Sequence, residues 1–294
     1  MPGQEHIYVW ISIAFCCIYV ISIVGNSIIL FIIKTDPSLH EPMYILLFML
    51  AITDLGLMIS TMPTILGVYL FNSKEISLNA CFAQVYFIHS LSLIESSMLL
   101  LMAFDRFVAI RDPLRYASIL TPARIVKMGL VLVVKSVSLM FPHPFLLKRF
   151  QYCHSNVLFH SYCLFPDVMK LACLDITTAN SLYALSVKFV TIILDFGLIF
   201  LSYVMIFKTV LSVASLTESL KALNTCISHL CAILLFYTPE IVLSVLHRFE
   251  NSSSQLGQIL LSYIYMLVPP LMNPIVYSIK SKHLRARIIR VFFK

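Results

Sequence analysis

Met102-Ala103-Phe104-Asp105-Arg106-Phe107-Val108-Ala109-Ile110-Arg111-Asp112-Pro113-Leu114-Arg115-Tyr116 runs from the end of a long apolar helix into a basic, proline-broken loop. The Asp105-Arg106 pair falls where hydrocarbon would give way to water. An arginine there is costly unless it is paired or reaches the interface. One reading is a membrane helix ending in ordinary interfacial charges. The other is a switch, an ion pair that holds one state and opens in another. The pair by itself does not choose; the rest of the chain does.

Working outward, 60% of the 294 residues are hydrophobic and only 12% are charged. Mean hydropathy is +0.92. A soluble domain of this size could not cover so much apolar surface, so a membrane is the solvent. Spanning helices need about 20 apolar residues each. Seven stretches qualify, near 8–33, 43–70, 80–110, 123–146, 182–210, 219–247 and 257–279. They predict an all-α bundle in one domain spanning 1–294. No basic n-region precedes the first run, which therefore reads as a signal-anchor helix and not a cleaved signal peptide.

Lysine and arginine set the expected orientation. With the N-terminus outside, inner segments hold Lys34, Arg106, Arg111, Arg115, Arg124, Lys127, Lys208, Lys221 and the basic run from Lys280 to Lys294. Outer segments hold Lys74, Lys148, Arg149, Lys170 and Arg248. The net charge of +7 thus reports topology. No basic-aromatic stripe points to nucleic acid. Residues 281–293 place Leu284, Ile288, Ile289 and Phe292 on one face among basic neighbours. That pattern predicts an amphipathic helix on anionic membrane lipid.

The third span carries Cys81 at its outer rim and Arg106 at its inner rim, roughly 37 Å apart at 1.5 Å per residue. The long loop after the fourth span holds Cys153, Cys163 and Cys173 on the same outer side as Cys81. Four cysteines allow three pairings, which sequence leaves open. Their ten-residue spacing is unlike a short metal-binding Cys-x-x-Cys. Cys16, Cys17, Cys226 and Cys231 read as small apolar packing residues inside helices. Pro274 in the seventh span frees a backbone carbonyl for an asparagine or water to satisfy.

Asn26, Asp54, Asp105-Arg106-Phe107, Pro274 and Tyr277 together resemble a rhodopsin-class G-protein-coupled receptor. Pro42-Met43-Tyr44, Met102 to Ile110, Lys221-Ala222-Leu223-Asn224-Thr225-Cys226-Ile227-Ser228-His229 and Asn273-Pro274-Ile275-Val276-Tyr277 resemble the olfactory receptors. Ser161-Tyr162-Cys163, Asp167 to Cys173 and His247-Arg248-Phe249 resemble their class I, fish-like branch. The resemblance covers nearly the whole chain. It implies disulfides Cys81–Cys163 and Cys153–Cys173. It implies a plasma-membrane receptor for a small odorant, coupled to a stimulatory G protein that raises cyclic AMP. Arg106 would leave Asp105 on activation. Tyr203, Asn273, Pro274 and Tyr277 would serve the inner cavity, and Pro113-Leu114 would form a knob for the G protein. Family members usually have a longer, glycosylated outer segment before the first span. The short one here implies weaker surface delivery or an upstream start.

Several residues are weighed as sites. Asp54 and Glu95 are acids at membrane depth with no cation on a matching turn. Either one is protonated and bonds Ser97, Asn26 or Asn273, or Asp54, Glu95 and Asn26 line a sodium or proton site, since hard cations take oxygen ligands. No other cofactor is expected. His89 is either a satisfied interior histidine or a ligand contact below the loop. Arg248 is a snorkelling interfacial arginine or a fork for a carboxylate. Ser244 and Glu240 share its helical face. The resemblance matches Arg248, Ser244 and His89 to an acid-recognition set. Leu164, Phe165 and Pro166 stand where that set has polar residues, and Glu240 would repel an acid. Lys188 is expected to pair with Glu240. The expected ligand is therefore larger and partly apolar, with one acid, ester or hydroxyl group. Lys135 and Asp195 are further intramembrane charges with no assigned role. Asn251-Ser252-Ser253 is the one glycosylation sequon, close to the membrane.

No His-Glu-x-x-His or Gly-x-Ser-x-Gly run supports an enzyme. An ion- or proton-coupled transporter is the rival reading, using Asp54, Glu95, Asp195 and Lys188 as a relay. The chain lacks the internal repeats common in such proteins.

Overall fold

The computed structural model describes residues 5–152, 157–158, 160–172, 177–212, 216–248 and 255–292. Within these, the side chains of 5–9, 170, 177–189, 216–222, 225, 244–248, 255–256, 280 and 292 lie outside the description. The helices are α1 (Glu5–Thr35), α2 (Pro42–Leu70), α3 (Leu78–Arg111), α4 (Tyr116–Ile119), α5 (Pro122–Met140), α6 (Pro142–Lys148), α7 (Phe165–Lys170), α8 (Thr177–Ser212), α9 (Leu216–Arg248), α10 (Gln255–Lys280) and α11 (Lys282–Phe292). Seven spans are long and apolar enough to cross a membrane; α5 and α6 together make the fourth. That span, expected as one helix, is divided at Phe141, because Pro142 has no N–H to continue the ladder.

Local chemistry sets the helix ends. Ser77 caps α3 by accepting the Ala80 N–H, and Thr121 caps α5 by accepting the Arg124 N–H. Each such cap contributes about 1 kcal/mol. Pro42 and Pro122 sit in first turns, where a missing N–H costs nothing.

The bundle is apolar on both sides. Trp10, Val20, Phe31, Ile59, Val134, Phe200 and Leu234 face outward, as a hydrocarbon solvent requires. Helix α3 is the hub. It packs against α2, α5, α6, α8 and α9 and is buried on nearly every side. Gly25 lets α1 close on α10, since a Cβ there would stand 3.1 Å from Pro274 Cγ.

Helix α11 is tied down at several points. Leu284 is buried in the core, Ser281 Oγ meets Tyr44 OH at 3.1 Å, and Arg287 Nε lies 2.5 Å from Asp36. The Ser38 hydroxyl, aided by its backbone N–H and by Arg287, holds the Asp36 carboxyl below the usual carboxylate range. A depressed folded value means the tie is complete above the unfolded carboxylate range and is lost only as pH falls through the folded value. Helix α11 should therefore stay docked at neutral pH and loosen only in acid. Arg287→Ala should loosen it at neutral pH. Faster amide hydrogen exchange confined to α11 would report this, and unchanged exchange would remove the tie from the account.

Candidate functional site

At one end of α3, Asp105 is buried and holds two partners. Arg106 Nε approaches its Oδ2 at 3.5 Å, and the Tyr116 hydroxyl donates to its Oδ1 at 2.6 Å. Burial, with the Asp105 charge beside it, pushes the Tyr116 phenol up, so it stays a donor at neutral pH. Asp105 is thus shared in a three-residue arrangement across α3 and α4. Sequence reasoning missed Tyr116, although it closes the quoted stretch. Around Arg106, Tyr203 OH contacts His229 Nδ1 at 2.9 Å and Tyr277 OH points to Met102 Sδ at 3.7 Å. The Arg106 charge acts on Tyr203, His229 and Tyr277 alike. Both tyrosines are therefore engaged with neighbours in this structure. Leu114 is fully exposed beside Pro113.

The middle of the bundle holds two polar assemblies. In the first, Asn273 Nδ2 donates to both carboxylate oxygens of Asp54, at 3.1 and 3.4 Å. Glu95 is buried nearby, within hydrogen-bond reach of Asn273 and in the field of Asp54. Asn26 does not turn to these acids; it takes the role expected of an asparagine near Pro274, its Nδ2 donating to Pro270 O at 2.9 Å and to Ser22 O at 3.0 Å. Pro270 is the carbonyl that Pro274 cannot bond, so Asn26 repairs the proline break. Ser97, one of the three partners the sequence left open for these acids, turns to Asp195.

The second assembly joins charges to which sequence gave no role. Lys135 Nζ is 3.9 Å from Asp195 Oδ1. Ser96 and Ser97 donate to Asp195 Oδ2 at 2.9 and 3.3 Å, and Ser96 Oγ meets Tyr237 OH at 2.8 Å. Nothing in the spacing along the chain could show this, because the partners come from four different helices.

At the far end of α3, the Cys81–Cys163 disulfide staples the loop to the rod, with Cα atoms 5.5 Å apart. Gln84 adds a second tie. It accepts the Cys163 N–H at 2.8 Å and donates to Ser60 O and Thr64 Oγ1 on α2. His160 and Asp167, both buried, hydrogen-bond across the staple. Burial pushes the Tyr162 phenol up, and it donates to Ser262 O of α10 at 2.9 Å. The result seats Phe165 edge-on over His89, with ring centroids 6.3 Å apart, and against His143 at 5.5 Å. Below lies a narrow seam with no room for a water molecule, lined by Leu57, Ile88, Ser92, Glu95, Phe236, Tyr265 and Met266. Tyr265 OH joins Ser92 Oγ at 2.5 Å and lies in the electrostatic field of the buried Glu240.

The sequence pattern that describes olfactory receptors matches residues 15–294. Human olfactory receptor 51G2 is 56% identical over 292 residues, covering 99% of this chain and 93% of that one. Human olfactory receptor 51A7 is 55% identical over 289 residues, covering 98% and 92%, and human olfactory receptor 51I1 is 47% identical across the whole chain and 93% of its own. The chain belongs to the olfactory receptor family.

It is therefore a rhodopsin-class receptor, a multi-pass membrane protein and not an enzyme. Within this olfactory receptor the structure gathers His89 and Phe165 above Glu240, and Asp54 with Glu95 and Asn273 below. It sets Asp105 and Arg106 beside Tyr203 and Tyr277. Cys153, Cys173 and Asn251 lie outside the described residues, as do the side chains of Lys188, Ser244 and Arg248. The neighbours of the two loop cysteines, Tyr152 and Ala172, form an antiparallel bridge. Burial raises the Tyr152 phenol to about 12, and it donates to Leu147 O at 2.8 Å.

Proposed function

We propose that this receptor sits in the plasma membrane with its N-terminus outside, binds a partly apolar odorant beneath α7, and activates a stimulatory G protein that raises cyclic AMP. The observation that carries the reading is the staple of α7 onto α3. It puts Phe165 on His89 at one end of a rod whose other end bears Asp105, Arg106 and the exposed Leu114. The seam under His89 is too narrow for a water molecule in this packing. Ligand must therefore favour a second packing in which the seam opens, and the shift reaches the Arg106 end through the same helix.

Arg248 and Ser244 supply the polar end of the ligand site, with Lys188 paired to Glu240 across it. Phe165 and Met266 supply apolar surface. Asp54 and Glu95, two buried carboxylates, offer the oxygen set a sodium ion or proton would take, with Asn273 orienting Asp54. Such an ion would neutralise charge that the bundle otherwise buries at high cost. Cys153 and Cys173 pair inside the loop. Basic residues of α11 rest on anionic lipid.

A panel of acids, esters and alcohols in a cyclic AMP reporter tests the ligand class. Acid potency should fall roughly 10-fold to 100-fold in Arg248→Ala, the worth of a charged hydrogen bond. Equal acid responses in both receptors would remove the carboxylate assignment. For the proposed pair, Lys188→Glu and Glu240→Lys should each lose surface expression, and combining them should restore it. Absence of rescue would separate the two residues.

A further inference from the structure

Helix α5 carries Lys135 directly after the apolar run 130–134, in which Val131 and Val134 face outward. Its side chain is 38% exposed, while that of Asp195 is only 5% exposed. The cation thus sits at the rim of the bundle and the carboxylate inside it. A serine hydroxyl has one proton. Ser96 gives that proton to Asp195, so at its contact with Tyr237 the tyrosine must be the donor. The chain of bonds has a fixed direction: Tyr237 to Ser96, Ser96 to Asp195, with Lys135 closing the far side of the acid. It crosses α9, α3, α8 and α5 in turn. Tyr237 is buried against Phe196 of α8 and Phe236 of its own helix, so moving α9 away from α3 must break the contact with Ser96.

We propose that Lys135 is a positioning residue for activation: by pairing with Asp195 it fixes the polarity of the chain that holds Tyr237, and with it α9, against α3. A carboxylate paired with an ammonium accepts and does not donate. That forces both serines to donate to it and Tyr237 to donate to Ser96. Without the cation, a buried acid at membrane depth has lost its compensating charge, and the chain has lost the anchor that sets its direction. An arginine at 135 keeps the charge; a methionine keeps the length and removes it. The inference rests on the proposed function, in which ligand favours a second packing, and adds that α9 parts from α3 in that packing.

The test is ligand-independent output per surface receptor, read as cyclic AMP in cells co-expressing the stimulatory G protein. Lys135→Met and Tyr237→Phe should each raise it roughly fivefold or more. Lys135→Arg should stay near wild type. Lys135→Met added to Tyr237→Phe should raise it no further, since both break one chain. Wild-type output in Lys135→Met together with an unchanged α3–α9 distance distribution, or additivity with Tyr237→Phe, would overturn the proposal. If Lys135→Met fails to reach the surface, Lys135→Met/Asp195→Asn removes both charges and must still show raised output; a wild-type level there would also overturn it. Spin-label distances between the Arg106 end of α3 and α9, in purified receptor, separate this from failure of G-protein coupling. A broadened distribution in Lys135→Met with silent cyclic AMP would fault the coupling, whereas an unchanged distribution would fault the role of Lys135.

Discussion

Arg106→Ala is expected to lose on the order of 100-fold in ligand-driven cyclic AMP, the upper end of what a coupling free energy of about 3 kcal/mol carries. Surface expression should remain close to wild type. The two halves of that expectation have separate causes. The Tyr116 hydroxyl, 2.6 Å from Asp105, does not depend on the guanidinium, so this packing should retain its shorter tie. Met102, Ala103 and Val108, which anchor this end of α3 in the core, are untouched. What disappears is the charge that faces Tyr203, His229 and Tyr277, and with it the group that would line the opened cavity. Unchanged signalling in the variant would reduce the pair to interfacial charges. Tyr116→Phe makes the complementary case. It removes the tie and keeps the arginine, so basal output should rise while ligand response survives.

The second large effect is at the other end of the rod. Cys81→Ser/Cys163→Ser should cut surface expression about tenfold and abolish odorant response in what remains. Loss of a native disulfide costs about 2–5 kcal/mol in small secreted domains, against a marginal total. Here the bond joins residues 82 apart in sequence and is the covalent part of the α7 staple. Gln84 keeps a hydrogen bond to the Cys163 N–H, which is why a fraction should still fold. Without the covalent bond, Phe165 is no longer held over His89. Either single variant should match the double one, because each breaks the same bond. Full odorant response in the double variant would detach the ligand site from the loop.

Much of this architecture was legible from apolar run length. Each span was found, though the helices extend past the runs: the fifth, expected at 182–210, is Thr177–Ser212. Hydropathy reports where hydrocarbon ends, and a helix continues into water for as long as its backbone is satisfied. Position along α3 also placed Cys81 and Arg106 at opposite ends correctly. The candidate site was less legible. Of the three partners left open for the buried acids, Asn273 meets Asp54, while Asn26 takes the carbonyl freed by Pro274 and Ser97 serves Asp195. Along a single helix, periodicity tells which residues share a face. It does not tell which face of which neighbour they meet.

The sequence by itself determined seven spans, the charged motif at the end of the third, the amphipathic tail and the family. Those follow from solvent, run length and local motif, all of which act along the chain. Only the tertiary structure decided how the buried charges are shared: Asp105 between Arg106 and Tyr116, Asp195 between Lys135 and the Ser96–Tyr237 chain. Inside a membrane a polar group must find its partner on another helix. Partner choice is therefore set by helix rotation and packing, which no stretch of this sequence specifies alone.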